Sequence, residues 1–153
     1  MNQNMDAHMV ELLLDSCFEA KRITDTLPKL PKGMKPRHNY VLHAVYELQN
    51  NAEGCRVSSV SNKLGTTMPS ITKLVNELSD QKLIEKYQDQ ADGRVILLKL
   101  TDLGYRYVKK YVLDFHSAWA ENMQDLSPDQ IKQTVEIIRK FKEAMPKTLN
   151  KER

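Results

Sequence analysis

The sequence predicts a mainly α-helical protein with one small β-hairpin, and three observations support this fold class. Apolar residues recur at helical spacing through most of the 153 residues, in segments separated by glycine, proline and short polar runs. Between residues 83 and 100 the pattern changes to two short strand-like runs, and Asp92-Gly93 between them is a tight-turn signal. Amphipathic helical segments flank this centre on both sides. At this length we expect a single domain over residues 1–153 that buries its core without disulfides.

The N-terminal part of the chain contains two predicted helices joined by a proline-containing linker. The first helix is predicted over residues 10–27, and it should end where Pro28 begins the linker. The second helix is predicted from Arg37 to Gln49, because one apolar stripe runs along it at helical spacing. That stripe consists of Val41, Leu42, Val45 and Leu48.

A short helix, a tight turn and another helix follow. The short helix is predicted over Ser58–Leu64, with Ser58 as its N-cap and Gly65 as the residue that ends it. Thr67 is predicted to cap the next helix. A short strand at Cys55–Val57 is also predicted, and it would pair with the hairpin. The buried face of the later helix is predicted to be Ile71, Leu74, Val75 and Leu78.

Two strands, Leu83–Gln88 and Val95–Leu100, complete the order helix, turn, helix, hairpin that is typical of a winged helix-turn-helix. This part, about residues 37–101, is therefore predicted to bind double-stranded DNA. Arg94 follows the hairpin turn, and a guanidinium there can enter the minor groove, which is about 6 Å wide. Asp92 is expected to orient Arg94 through a planar bidentate pair. The alternative is an exposed ion pair that contributes only about 0–1 kcal/mol to stability.

The outer side of the second helix of this unit is predicted to enter the major groove. Its short polar and basic side chains can contact base edges or phosphates, and Met68 or Pro69 can contact a thymine methyl group. The alternative is a solvated helix face that happens to contain serine, threonine and lysine. The predicted DNA contacts of this helix are Thr67, Met68, Pro69, Ser70, Thr72, Lys73 and Asn76.

The ends of the chain have more apolar helical surface than one winged module needs. Thr101 is predicted to cap a long helix that extends to about Met123. The run Ser127-Pro128-Asp129-Gln130 is a capping box with proline at the first helical position, and it predicts the last helix. We expect helices of about residues 8–27 and 102–149 to form a homodimer interface. The alternative is that they only extend the core of the monomer.

Several segments together resemble the MarR family of transcriptional regulators. They are TMPSITKLVNEL at 67–78, KLIEK at 82–86, DGR at 92–94 and LKLTDLG at 98–104, and with the flanking helices the resemblance covers essentially the whole chain. The resemblance implies a triangular homodimer that binds pseudo-palindromic operators. We expect it to act as a repressor, although the sequence does not give the sign of regulation. The resemblance assigns the minor groove to Arg94, with Asp92 as its partner. It also implies phosphate contacts at the start of the second helix, from Arg37, His38 and Asn39.

The resemblance further implies an effector, a small anionic or phenolic molecule whose binding would release the DNA. An aromatic stripe at helical spacing is, however, more often plain core. Some family members sense oxidants through a cysteine in the first helix, so Cys17 is a candidate redox-active thiol, although Asp15 and Glu19 oppose the low pKa that such a thiol needs. Its ordinary interpretation is a small buried apolar residue. The candidate effector-lining residues are Phe18, Arg22, His43, Tyr46, Tyr111, Phe115 and Trp119.

Other function classes find little support in the sequence. The four histidines and two cysteines show no metal-ligand spacing, so no metal and no cofactor are expected. The chain has no glycine-rich phosphate loop and no nucleophile elbow, which argues against an enzyme. It has neither a membrane-length apolar run nor the pattern of a secretory signal, so we expect a cytoplasmic protein without a membrane partner. The net charge of +3 does not by itself indicate nucleic acid, and a winged-helix protein-interaction module without DNA binding remains the alternative.

Overall fold

A computed structural model describes residues 5–26 and 29–147 of the chain. These residues are mainly helical with one two-stranded antiparallel sheet, which confirms the predicted fold class. The chain divides into two compact units, Met1–Phe115 and His116–Arg153. Within the described ranges, no helix combines the length and the apolar character that crossing a membrane requires.

The N-terminal unit contains the helix-turn-helix and the hairpin. Its order is α1, α2, α3, α4, β1, β2, α5 and a π-helical turn, after which α6 begins. The bounds are α1 Ala7–Thr26, α2 Pro36–Leu48, α3 Val57–Leu64, α4 Met68–Asp80, β1 Ile84–Gln88, β2 Ile96–Leu100, α5 Asp102–Val108 and the π turn Lys109–Leu113.

The core of this unit lies where α2, α3, α4, the hairpin and α5 meet. The predicted inner face of α4 is confirmed, because Ile71, Val75 and Leu78 are buried and Leu74 packs against them. The predicted stripe of α2 is confirmed in the same way. The largest fully buried apolar side chains are Leu42, Ile71, Leu78, Ile84, Leu98, Val41, Val45, Val60, Val75 and Val108.

The hairpin pairs Ile84 with Leu100 and Gln88 with Ile96. The prediction of a third strand at Cys55–Val57 is wrong, since Val57 is already the first residue of α3. One backbone contact of the expected kind is nevertheless made, from the Leu98 N–H to the Cys55 carbonyl oxygen at 2.7 Å. A single bond of this kind positions the wing on the core without forming a ladder.

The ends of α3 and α4 differ slightly from prediction. The N-cap of α3 is Arg56 and not Ser58, so the helix begins at Val57. Gly65 ends α3 in the left-handed region with φ 61°, as its glycine predicted. Thr67 occupies the predicted N-cap of α4, but its side chain caps no backbone N–H.

The long helix predicted from Thr101 to about Met123 is interrupted by the π turn Lys109–Leu113. Thr101 caps its start as predicted, because its hydroxyl oxygen accepts a hydrogen bond from the Gly104 N–H at 3.0 Å. Near the interruption, the buried Asn39 of α2 donates its side-chain N–H to the Tyr111 carbonyl oxygen at 3.2 Å. A π turn accommodates one additional residue, and the pattern of apolar residues did not indicate it.

The C-terminal unit contains the rest of α6 (Asp114–Glu121) and α7 (Pro128–Ala144). The predicted capping box is confirmed: the Gln130 N–H donates to the Ser127 hydroxyl oxygen at 3.2 Å, and the Ser127 N–H donates to the Gln130 side-chain oxygen at 2.8 Å. The apolar face of α7 is exposed along the helix. Its exposed members are Ile131, Val135, Ile137 and Ile138.

Helix α1 also has an exposed apolar face in the single chain. Phe18 is 63% exposed and Leu12 is 55% exposed. The ordinary interpretation of Cys17 as a buried residue is wrong for the single chain, in which it is exposed. Residue 27, which ends the predicted first helix, and residues 148–149, which end the predicted C-terminal helical region, lie outside the described residues.

Candidate nucleic-acid interface

The outward side of α4 is an exposed polar surface. Ile71, Val75 and Leu78 face the core, so the helical repeat points the intervening side chains outward. An open groove of about 560 Å³ lies along this side. The groove is lined by Met68, Pro69, Thr72, Lys73, Asn76, Glu77 and Asp80.

The first turn of α4 presents backbone N–H groups that no side chain of the N-cap residue satisfies. The Thr67 hydroxyl donates instead to the Ser70 hydroxyl oxygen at 3.0 Å. The Thr72 hydroxyl donates to the Met68 carbonyl oxygen at 2.9 Å. Free N–H groups at a helix N-terminus favour an anion such as a phosphate.

The turn between α3 and α4 is fixed by a side-chain contact. The buried Ser61 hydroxyl donates to the Thr66 carbonyl oxygen at 2.5 Å, across the residues that join the helices. Together with the left-handed Gly65, this bond sets the direction in which α4 leaves α3.

The tip of the hairpin presents Arg94 to solvent. The Asp92 carboxylate accepts a hydrogen bond from the Arg94 backbone N–H at 3.0 Å, and the Val95 N–H donates to the Asp92 carbonyl oxygen at 2.9 Å. Asp92 therefore shapes the turn through backbone contacts, in place of the predicted bidentate pair with the guanidinium. Arg94 itself is exposed at this turn.

The hairpin and α4 are directly connected. The Leu83 N–H donates to the Leu78 carbonyl oxygen at 3.0 Å, just after α4 ends. The Lys86 ammonium of β1 donates to the Asn76 side-chain oxygen of α4. Asn76 therefore uses its side-chain oxygen within the chain, and the same residue lines the groove.

The three residues predicted to contact phosphate at the start of α2 differ in their exposure to solvent. Arg37 is exposed, whereas His38 is 2% and Asn39 is 6% exposed. The prediction that the His38 and Asn39 side chains contact phosphate directly is therefore wrong, because both side chains are buried in the protein. There His38 makes the hydrogen bond to Glu77 described below, and Asn39 makes its contact with Tyr111.

Glu77 is a site residue that sequence reasoning missed. The His38 ring nitrogen Nε2 lies 2.7 Å from the Glu77 carboxylate oxygen, and the two residues are 39 positions apart. This hydrogen bond is the main cause that lowers the pKa of Glu77 from its ordinary value. A charge on an outer helix face carries no sequence signal of such a distant partner.

The structure brings together only some of the predicted effector-lining residues. The rings of His43 and Tyr46 are stacked with centroids 6.4 Å apart, and Tyr46 meets Tyr105 edge to face at 6.3 Å. Arg22 pairs with Glu19 on α1 at 2.6 Å. Phe18 is exposed on the same helix. The three remaining predicted residues are half-buried: Tyr111, Phe115 and Trp119. Trp119 belongs to the C-terminal unit.

The two cysteines have different environments. Burial raises the pKa of the Cys55 thiol to about 11, which leaves it protonated at neutral pH. Cys17 is exposed on α1. Among residues 5–26 and 29–147, no group of three or more His, Cys, Asp or Glu side chains could hold a metal ion.

Comparison with known proteins gives one family match and several structural neighbours. A model described as MarR family matches residues 32–95. The MepR–DNA complex of S. aureus has 23% identity and a TM-score of 0.67, covering 89% of this chain and 96% of MepR. FabT of Streptococcus pneumoniae in complex with DNA has 22% identity and a TM-score of 0.67, covering 90% of this chain and 96% of FabT. The PcaV transcriptional regulator of Streptomyces coelicolor in complex with its natural ligand has 20% identity and a TM-score of 0.61, covering 92% of this chain and 94% of PcaV.

A search of curated proteins found no match. At 20–23% identity the structural likeness shows a common fold over most of the chain. The family match adds the winged-helix part, from the linker before α2 to the wing tip. On these two findings, residues 32–95 match the MarR family, and the chain shares the fold of the transcriptional regulator PcaV and of MepR and FabT in their DNA complexes.

Proposed function

We propose that this protein is a sequence-specific DNA-binding repressor that acts as a homodimer on a pseudo-palindromic operator. The observation that carries the proposal is the exposed polar side of α4, joined directly to a hairpin whose tip presents Arg94. The fold is shared with MepR and FabT, whose structures are complexes with DNA.

Helix α4 enters the major groove in this proposal. Thr72 and Lys73 lie on its outward side, where a hydroxyl and an ammonium can donate to base edges or phosphate oxygens. The uncapped first turn of α4 receives a phosphate, because its N–H groups have no side-chain acceptor from Thr67. These phosphate contacts make the affinity fall with salt.

The hairpin provides the second contact. Arg94 enters the minor groove, where narrow A·T-rich stretches concentrate negative potential. The Asp92 carboxylate stabilises the turn by accepting a hydrogen bond from the backbone N–H of Arg94. Arg37, exposed at the start of α2, adds a phosphate contact.

The terminal helices, about residues 8–27 and 102–149, form the dimer. Leu12 and Phe18 on α1 and Val135 and Ile138 on α7 are each more than 40% exposed in the single chain. Apolar area of this extent is unfavourable in water, and a second copy of the chain would cover it. Two copies would present two α4 helices to successive major grooves, about 34–36 Å apart.

A small anionic or phenolic effector would release the operator by changing the separation of the two α4 helices. Support for a site comes from the half-buried rings of His43 and Tyr46 and from PcaV, which was solved with its natural ligand. Isothermal calorimetry with salicylate-like acids, with and without operator DNA, tests this part. Absence of both heat and operator release would contradict it.

The main test is selection of the purified protein on a pool of random duplexes at two salt concentrations. An enriched inverted repeat is expected. Arg94→Ala should then raise the operator Kd about 5- to 150-fold, which corresponds to roughly 1–3 kcal/mol. Arg106→Ala is the matched control, because Arg106 is exposed on α5, outside α4 and the hairpin.

Weak binding without sequence preference, abolished by modest salt, would contradict the proposal and favour a protein-interaction module. Equal affinity of the Arg94→Ala variant and the parent for a selected operator would contradict the role of the hairpin alone.

A further inference from the structure

His38 is a buried histidine whose two ring nitrogens both have partners. The Lys35 backbone N–H donates to Nδ1 at 3.1 Å, and Nε2 lies 2.7 Å from the Glu77 carboxylate. Because Nδ1 accepts, the ring proton is on Nε2, which therefore donates to Glu77. One side chain thus caps the first turn of α2 and holds a residue of α4.

Glu77 stands at the boundary between the core and the DNA-facing groove. Its side chain is 33% exposed and lines the groove together with Lys73 and Asp80. The preceding residue, Asn76, faces the same groove, and the following residue, Leu78, is fully buried. A contact at Glu77 is therefore well placed to set the rotation of α4 about its axis.

The side chains that seat α4 on the core are Ile71, Val75 and Leu78, and apolar contacts are not directional. The hydrogen bond from Lys86 to Asn76 is exposed and joins α4 to the hairpin, whereas the His38–Glu77 bond joins α4 to α2. A hydrogen bond to a carboxylate is short, directional and stronger than a neutral one. Base readout depends on donor–acceptor distances of about 2.7–3.2 Å, so a small rotation of α4 would break several such bonds together.

We propose that His38 is a positioning residue for DNA recognition, which fixes the rotation of α4 through its hydrogen bond to Glu77. This inference rests on the proposed function. It predicts that loss of the bond weakens binding to the operator while binding to unrelated duplexes is unchanged, because non-specific binding depends on phosphate contacts.

Two pairs of variants separate this role from the alternatives. Glu77→Gln keeps an acceptor for the His38 N–H but removes the charge, whereas Glu77→Ala removes both. His38→Gln places an amide N–H near the position of Nε2 and keeps the bond to Glu77. His38→Asn places an amide oxygen near the position of Nδ1 and keeps the bond from the Lys35 N–H.

The operator Kd is expected to rise about tenfold for Glu77→Ala and His38→Asn, the order expected for losing a hydrogen bond to a charged group. Glu77→Gln and His38→Gln should stay within about threefold of the parent.

The measurements are operator Kd, Kd for an unrelated duplex and the slope of log Kd against log salt, each at a temperature where circular dichroism shows a folded variant. An operator-specific loss with unchanged salt slope supports the positioning role. Tighter binding by both Glu77 variants would overturn it and show that Glu77 acts only by repelling phosphate. Parent-like operator affinity for both Glu77→Ala and His38→Asn would also overturn it. If the parent itself selects no operator, the proposed function fails and this inference fails with it.

Discussion

Replacing Gly104 with alanine should destabilise the connection between the hairpin and α5. A Cβ atom at this buried position would lie 2.1 Å from the Leu83 carbonyl oxygen and 3.3 Å from the Leu100 Cβ. Carbon–oxygen contacts in proteins are about 3.3 Å or longer, so the backbones would have to separate by roughly 1 Å. Neither neighbour is the flexible end of a side chain, and the strain cannot be relieved by a rotamer change.

The magnitude follows from what that separation would disturb. The Leu83 carbonyl oxygen accepts the Thr101 N–H at 3.2 Å, and the Thr101 hydroxyl donates to the Lys82 carbonyl oxygen at 2.6 Å. Overpacking costs about 1–3 kcal/mol and each weakened hydrogen bond about 1 kcal/mol, while alanine regains up to about 1 kcal/mol of helix propensity. We expect a net loss of roughly 2–4 kcal/mol, which corresponds to a Tm lower by about 5–15 °C.

Thermal unfolding followed by circular dichroism, at one fixed protein concentration, measures this change. Gly93→Ala is the matched control: a Cβ there would meet nothing within 4 Å, and its φ is not in the left-handed region. Its Tm should stay within about 2 °C of the parent, as for other surface substitutions. A Gly104→Ala variant as stable as Gly93→Ala would refute the close approach of α5 to the residue before β1.

Three further predictions concern titration and capping. The Cys55 thiol, buried and with its pKa raised to about 11, should resist alkylation at neutral pH until the protein unfolds, as checked by mass spectrometry across a denaturant series; modification of folded protein would contradict its burial. Ser127→Ala should lower the free energy of unfolding by about 1 kcal/mol, because the Gln130 N–H loses its acceptor, whereas Ser127→Asp should restore it in denaturant titrations. The hydrogen bond from His38 lowers the pKa of Glu77 from 4.5, so the ionised carboxylate stabilises the folded state above that pH and the contribution is lost as pH falls through the lowered value. The Tm advantage of the parent over Glu77→Gln should therefore shrink as the pH falls below 4.5, and an advantage that stays constant over that acid range would contradict this linkage.

The parts of the fold that the sequence predicted well are those determined by local rules. The inner face of α4 follows from the spacing of Ile71, Val75 and Leu78. Gly65 ends α3 because glycine adopts positive φ without strain, and the capping box at Ser127 depends on residues three positions apart. In each case the partners are neighbours in the chain.

The errors arise where distant contacts decide. Nothing within α2 shows that His38 turns inward, because its partner is on α4. The strand expected at Cys55–Val57 became a helix start, with one bond to Leu98 in place of a ladder. The π turn contains the Tyr111 carbonyl oxygen that accepts a hydrogen bond from Asn39 of α2, a partner 72 positions away in the chain. The predicted DNA contacts on α4 all lie on its exposed side, and their roles stay predictions.

The direct connection between α4 and β1 has a consequence for the operator itself. Because Leu83 bonds back to Leu78 and Lys86 bonds to Asn76, the helix and the hairpin form one unit with a fixed internal spacing. On the proposed operator, the number of base pairs between the major-groove and minor-groove contacts of one half-site is then constant. Inserting one base pair there shifts the contacts apart by about 3.4 Å, which this unit cannot follow. Natural operators should therefore conserve length within each half-site more strictly than the identity of any single base.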